Sequence, residues 1–163
     1  MTNMEPDIQS LVSENTELRD EVSHLTHKIN SMESQAKRNN VIFYNVEGHS
    51  AESFEDTLDA VTKVMTETMN IKYEDFAVLN VRRLPSKVSG PKPVLVTFAQ
   101  PNHKSKVMMG AKYLKSQKIS VSHDFTDDER NTRRKLKPLK DKARHDGCFS
   151  VMRYTKLQID NKL

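Results

Sequence analysis

Cysteine is nearly missing from this sequence. Cys148 is the single one in 163 residues, so no disulfide can close within the chain and no Cys-x-x-Cys metal knuckle exists. One isolated thiol suits a reducing compartment. Hydrophobic residues are scarce at 36%, against the roughly 45–50% apolar share of an ordinary globular domain. A single core built from the whole chain is therefore not expected; a small domain with a helical or extended arm is. No apolar run reaches the ~18 residues of a membrane-spanning helix. The acidic, polar opening MTNMEPDIQS is unlike a signal or transit peptide.

Catalytic hallmarks are missing as well. There is no phosphate-cradling G-x-x-x-x-G-K-[ST], no H-E-x-x-H and no G-x-S-x-G. Four glycines leave little material for a catalytic loop. His103, His123 and His145 are scattered and, with Cys148, show no ligand spacing. The expectation is a protein that is not an enzyme and holds no metal or cofactor.

What is present is charge, unevenly distributed. Residues 1–86 carry 8 Lys/Arg against 15 Asp/Glu, and residues 87–163 carry 18 against 7. Within 87–122 there are seven lysines and no acid. A block this dense in one sign attracts polyanions and releases their counterions on binding. A solvated lysine surface is the plainer alternative.

The acidic arm has a regular period. Ile8, Asn15, Val22, Ile29 and Ala36 fall at heptad a positions, with Leu11, Leu18, Leu25 and Met32 at d. A 3.5-residue period over four heptads without Gly or Pro predicts a left-handed coiled coil. Pro6 with Asp7 suits a helix start. Glu14 (g) would face Arg19 (e) of a partner, and Lys28 (g) would face Glu33 (e), which favours a parallel, in-register assembly. β-Branched a residues with Leu at d, and an amide at Asn15, favour two strands. A helix packed on its own domain is the alternative, although a narrow a/d stripe is less than a globular helix usually buries. His24 and His27 fall on the outer face.

After Lys37-Arg38-Asn39-Asn40 the pattern changes. Strands are expected at 41–46, 76–84, 93–99 and 118–122, with helices at 54–69 and 102–115 and a turn at 47–53. The order β-α-β-β-α-β is the split βαβ arrangement that RNA-recognition modules use, among many others. Their third strand reads K/R-G-F/Y-G/A-F-V-x-F/Y. Aligned on Phe98, this chain has Pro93 and Leu95 at the stacking positions, and Ile42 takes the aromatic place on the first strand, with Tyr44 expected on the same face. Stacking on the sheet centre is thus not expected.

The segment 124–147 predicts a helix capped by Thr126, acidic in its first turn. It carries Arg130, Arg133, Arg134, Lys137, Lys140 and Arg144, is bent or interrupted by Pro138, and is ended by Gly147. FSVMRYTKLQID (149–160) reads as a strand or hairpin.

Together the heptads, KRNNVIFYNV, VRRL, PVLVTF, RRKLKPLKDKAR and MRYTKLQID resemble the first-open-reading-frame protein of LINE-type (non-LTR) retrotransposons, the transposase-22 family, which is not a transposase. The resemblance runs from about residue 8 almost to the end. It implies three parts: an oligomerising coil (1–37), an RRM-like domain (38–123) and a C-terminal nucleic-acid-binding segment (124–163). Family members often continue with a further helix where this sequence stops. The implied fold class is α+β. The implied partners are single-stranded RNA, or DNA, and a second or third copy of the chain, as a parallel homodimer or the family's homotrimer. The implied activity is RNA packaging and nucleic-acid chaperoning in a cytoplasmic or nuclear ribonucleoprotein, away from membranes.

Residue by residue, the resemblance points to Lys37 and Arg38 after the coil, Lys112 and Lys118 before the fourth strand, and Arg133 and Arg134 on the C-terminal helix. Tyr154, Lys156 and Leu157 match the closing strand. Arg130, Lys137 and Arg153 extend the candidate set. On this reading phosphates run along a cleft between the central domain and the C-terminal segment, met by Arg133, Arg134 and Lys118, while Tyr154 stacks on a base. A solvated helix face for the arginines and core packing for Tyr154 are the alternatives. A coiled-coil adaptor that binds protein and no nucleic acid is the competing function.

Overall fold

The structure is a computed structural model, described for residues 4–48, 52–87 and 89–160. It is a mixed α+β protein with a long N-terminal helix and an antiparallel sheet. The chain divides into two units, Lys37–Phe125 and Met1–Ala36 together with Thr126–Leu163.

In the unit Lys37–Phe125, strands β1 (Asn40–Tyr44), β2 (Val78–Arg83), β3 (Val94–Phe98) and β4 (Ser120–His123) form an antiparallel sheet in the order β2-β3-β1-β4. Helix α2 (Phe54–Lys63) starts at a capping box, Ser53 with Asp56, which satisfies two of the free N-terminal donors. It then widens into a π-helical turn at Val64–Thr68, where one unbroken helix is expected from the sequence. Helix α3 (Pro101–Gly110) continues as a 3-10 turn at Ala111–Ser116.

The alternation of each strand sets the core. Val41, Phe43, Val94, Val96 and Phe98 are all fully buried, and they pack with Val61, Met65, Met69 and Val107 from the helical segments. The opposite side of the sheet carries two rows set by the strand register. Arg82, Leu95, Ile42 and Ser122 form one, and Asn80, Thr97 and Asn40 form the other. Ile42 and Leu95 stand side by side, so the two central positions of this face hold aliphatic side chains, with Tyr44 on the same side of β1. A register shift between Val78 and Asn80 leaves Leu79 bulged and exposed on edge strand β2, a device that discourages edge-to-edge pairing.

The other unit contains α1 (Met4–Ala36), α4 (Asp127–His145) and a hairpin of β5 (Phe149–Arg153) and β6 (Lys156–Asp160). Thr126 caps α4 with Glu129 in a capping box. The helix runs without a break through Pro138, where the sequence suggests a bend or interruption. It ends in a Schellman closure: Cys148 N–H donates to the Ala143 carbonyl at 2.9 Å, Gly147 N–H donates to that of Arg144, and Gly147 sits at φ +80°. The hairpin seats on α4 through buried Ser150, whose hydroxyl donates to the Lys140 carbonyl at 3.0 Å.

Candidate nucleic-acid interface

Helix α4 sorts its basic residues by face. Glu129, Thr132, Arg133, Leu136, Lys140 and Ala143 are partly or fully buried, at alternating helical spacing, and the remaining positions face solvent. From Arg130 to Arg144 the helix carries eight Lys/Arg and one acid, Asp141. Arg130 is paired with Asp127 at 2.5 Å. Arg134 donates to the Asn131 amide oxygen at 3.2 Å and is exposed. Arg144 donates to the Ser150 carbonyl. The ammonium groups of Lys135, Lys137, Lys140 and Lys142 have no hydrogen-bond or ion-pair partner among the described residues.

Arg133 and Arg134, adjacent in sequence, therefore do different work. The Arg133 guanidinium donates to the Tyr154 carbonyl and braces the hairpin turn. Arg134 is left on the outer face. Tyr154 itself sits at φ +54°, a left-handed conformation that L side chains adopt at a cost. Its hydroxyl donates to the Glu129 carboxylate at 2.6 Å, so the ring is anchored at its tip although the residue is 44% exposed. At the mouth of the same turn Arg153 and Lys156 are cross-strand partners and both exposed. Like charges directly opposite each other are destabilising, and an anion placed there would relieve them.

Glu129 is the hub of this unit. One carboxylate oxygen accepts from Ser34 at 3.0 Å and from Tyr154, and the other accepts from the Thr126 backbone N–H at 2.8 Å. Burial alone would raise the Glu129 pKa. The hydrogen bonds from Tyr154, the Thr126 backbone and Ser34 outweigh it and hold the carboxyl below its ordinary value. Sequence reasoning missed this role. The Thr-x-x-Glu spacing signals the cap, but the bonds from Ser34 and Tyr154 are tertiary and leave no local trace.

In the unit Lys37–Phe125, Lys37 donates to the Phe125 carbonyl at 3.5 Å and lies 3.9 Å from Asp124, a tie between the ends of that unit. Arg38 is exposed, and its carbonyl accepts from Lys104. Lys112 lies over the Tyr113 ring, 4.9 Å from its centroid. Lys118 is exposed, and its carbonyl accepts from Asn45. The VRRL segment also divides. Arg82 is exposed on the non-core side of the sheet, whereas Arg83 bonds Glu52 through two nitrogens and the carbonyls of Val46, Glu47 and Lys92. All five N–H donors of Arg83 are thereby filled, which makes it a structural clamp.

The heptad residues lie on α1, where Ile8, Leu11, Leu18, Val22, Leu25, Ile29 and Met32 are each 47–63% exposed. Asn15 is exposed too. The partly buried residues of this helix are Asn30 and Ser34, at b and f, away from the a/d stripe. No group of three or more metal-ligating side chains occurs among the described residues, and no described helix is long and apolar enough to cross a membrane. Comparison of the sequence with protein-family models gives no match, and comparison with curated proteins gives no significant match.

Proposed function

We propose that this chain is a homo-oligomeric binding protein for single-stranded RNA, a packaging protein and nucleic-acid chaperone of the kind made by LINE-type retrotransposons. The observation that carries the reading is the outer face of α4, where Arg134, Lys135, Lys137 and Lys142 are exposed with no acid paired to them among the described residues. Phosphate contacts of this sort give affinity with little sequence preference. The sheet order β2-β3-β1-β4 is compatible with an RRM-like module. Ile42 and Leu95 at its centre are aliphatic and buried, so the reading does not rest on base stacking at the sheet centre.

Assembly follows from the a/d stripe of α1. Among the described residues of that helix, the partly buried ones, Asn30 and Ser34, lie on its b/f ridge, and the apolar seam is left for another chain. A parallel coiled coil of two or three copies covers it, gathering weak sites along one strand through effective concentration.

The test is fluorescence anisotropy with a single-stranded RNA of about 30 nucleotides over a salt series. Binding should weaken steeply with salt. The double variant Arg134→Ala/Lys137→Ala should bind less tightly, with a log–log salt slope shallower by roughly 1.4, at ~0.7 per phosphate contact on a single strand. Affinity independent of salt, or no binding at all, would favour a coiled-coil adaptor that uses the same α1 stripe for a protein partner.

A further inference from the structure

A base-stacking platform needs an aromatic ring that is open to solvent, near cations and far from acids. Tyr154 is tied by its hydroxyl to Glu129. Tyr73 packs edge-on against Phe76 and is followed by Glu74 and Asp75. Phe54 precedes Glu55 and Asp56, and Phe149 pairs across its hairpin with Asp160. Tyr44 is partly buried, 3.5 Å from the Ser122 hydroxyl.

Tyr113 differs from all of these. α3 and its 3-10 continuation bury Val107, Gly110 and Leu114. Gly110 permits that seat, since a Cβ there would stand 3.3 Å from Met69 and Ile71 atoms. The same arrangement turns Met109 and Tyr113 outward, 74% and 51% exposed. Lys112 lies on the ring at 4.9 Å, and Lys115 is exposed one 3-10 turn further on. Lys106, earlier on α3, is exposed but already paired with Asp75 at 2.6 Å, so it is not part of this patch. The segment 87–122 around this patch contains no acid.

We propose that this face is a second contact for single-stranded nucleic acid, in which a base stacks on Tyr113 and Met109 while Lys112 and Lys115 meet the flanking phosphates. It rests on the nucleic-acid reading above; the resemblance supplies Lys112 as a basic contact, and the proposal adds the stacking residue Tyr113 with Met109 and Lys115. A base offers a π-face whatever its identity, so the contact tolerates any sequence. Charge complementarity favours a polyanion over an apolar protein partner here.

The experiment uses the full chain and a short 5-iodouridine-substituted single-stranded RNA. Irradiation should join the RNA to Tyr113, identified by peptide mapping. Tyr113→Ala should bind the same RNA about 5- to 150-fold more weakly, the range for one lost stacked base. Tyr113→Phe should bind like the wild type. Both variants should melt as the wild type does, because the side chain is outside the core. Wild-type binding with no adduct at Tyr113 and undiminished affinity of Tyr113→Ala overturns this site and leaves the α4 interface standing. Equal loss in Tyr113→Ala and Tyr113→Phe overturns stacking. No binding by the intact chain overturns both readings together.

Discussion

At the scale of single residues, the chain spends its charges in two ways that neighbours in sequence do not share. Arg83 fills its donors on carbonyls and a carboxylate of its own unit and Arg133 donates to the Tyr154 carbonyl, while Arg82 and Arg134 beside them are exposed. Glu129 is the most heavily used carboxylate of its unit, and its lowered pKa has a direct consequence. A carboxyl that ionises more readily when folded adds stability that is fully present above its unfolded value, about 4.3. That contribution is lost as pH falls through the lower folded value. Glu129→Ala should cost about 1–3 kcal/mol at pH 7, from lost charge-assisted hydrogen bonds. In urea denaturation the gap to the wild type should narrow at pH 3. A gap that does not change with pH would mean that the charge of the carboxylate contributes nothing.

At the scale of elements, α4 carries a proline in its interior. Pro138 has no N–H to give the Arg134 carbonyl, and its ring crowds that carbonyl. The residue is exposed, so no packing compensates. Pro138→Ala should raise stability by about 1–3 kcal/mol, given a cost of ~3 kcal/mol for proline relative to alanine inside a helix. A higher denaturation midpoint with unchanged slope would record the gain. A loss would mean that the helix shape around Pro138 is needed to seat Ser150 on the Lys140 carbonyl.

Most elements were legible in the sequence, because periodicity and caps are local signals. The four strands and two helices of the central unit lie where the period-2 and helical patterns place them, within a few residues. Thr126 caps α4, and Gly147 closes it. The π-helical turn after Lys63 was not legible, since Val64–Thr68 has no local mark distinguishing it from ordinary helix. The candidate site was legible as charge but not as geometry. Which of two adjacent arginines braces a turn depends on where the hairpin packs, and that is settled by buried Ser150 and by Glu129. The exposure of Tyr113 is not legible either, because no spacing rule reports it.

At the scale of the whole molecule, assembly and binding are proposed to be coupled through α1. An isolated helix with an uncovered apolar stripe is marginal in water, so association should hold it together. The double variant Leu18→Asp/Leu25→Asp should sediment as an 18.8 kDa monomer and lose helical signal. It should retain affinity for an RNA long enough for one subunit only. For an RNA that spans several subunits the apparent affinity should fall by about 100-fold or more. An unchanged mass would remove the a/d stripe from the account of assembly.

The sign of α1 has one more consequence. Over Met4–Ala36, roughly 50 Å of helix at 1.5 Å per residue, there are seven acids and two bases. A polynucleotide is repelled along nearly all of that length. On the proposed function, the helix would act as an electrostatic fence that keeps bound strands from wrapping it.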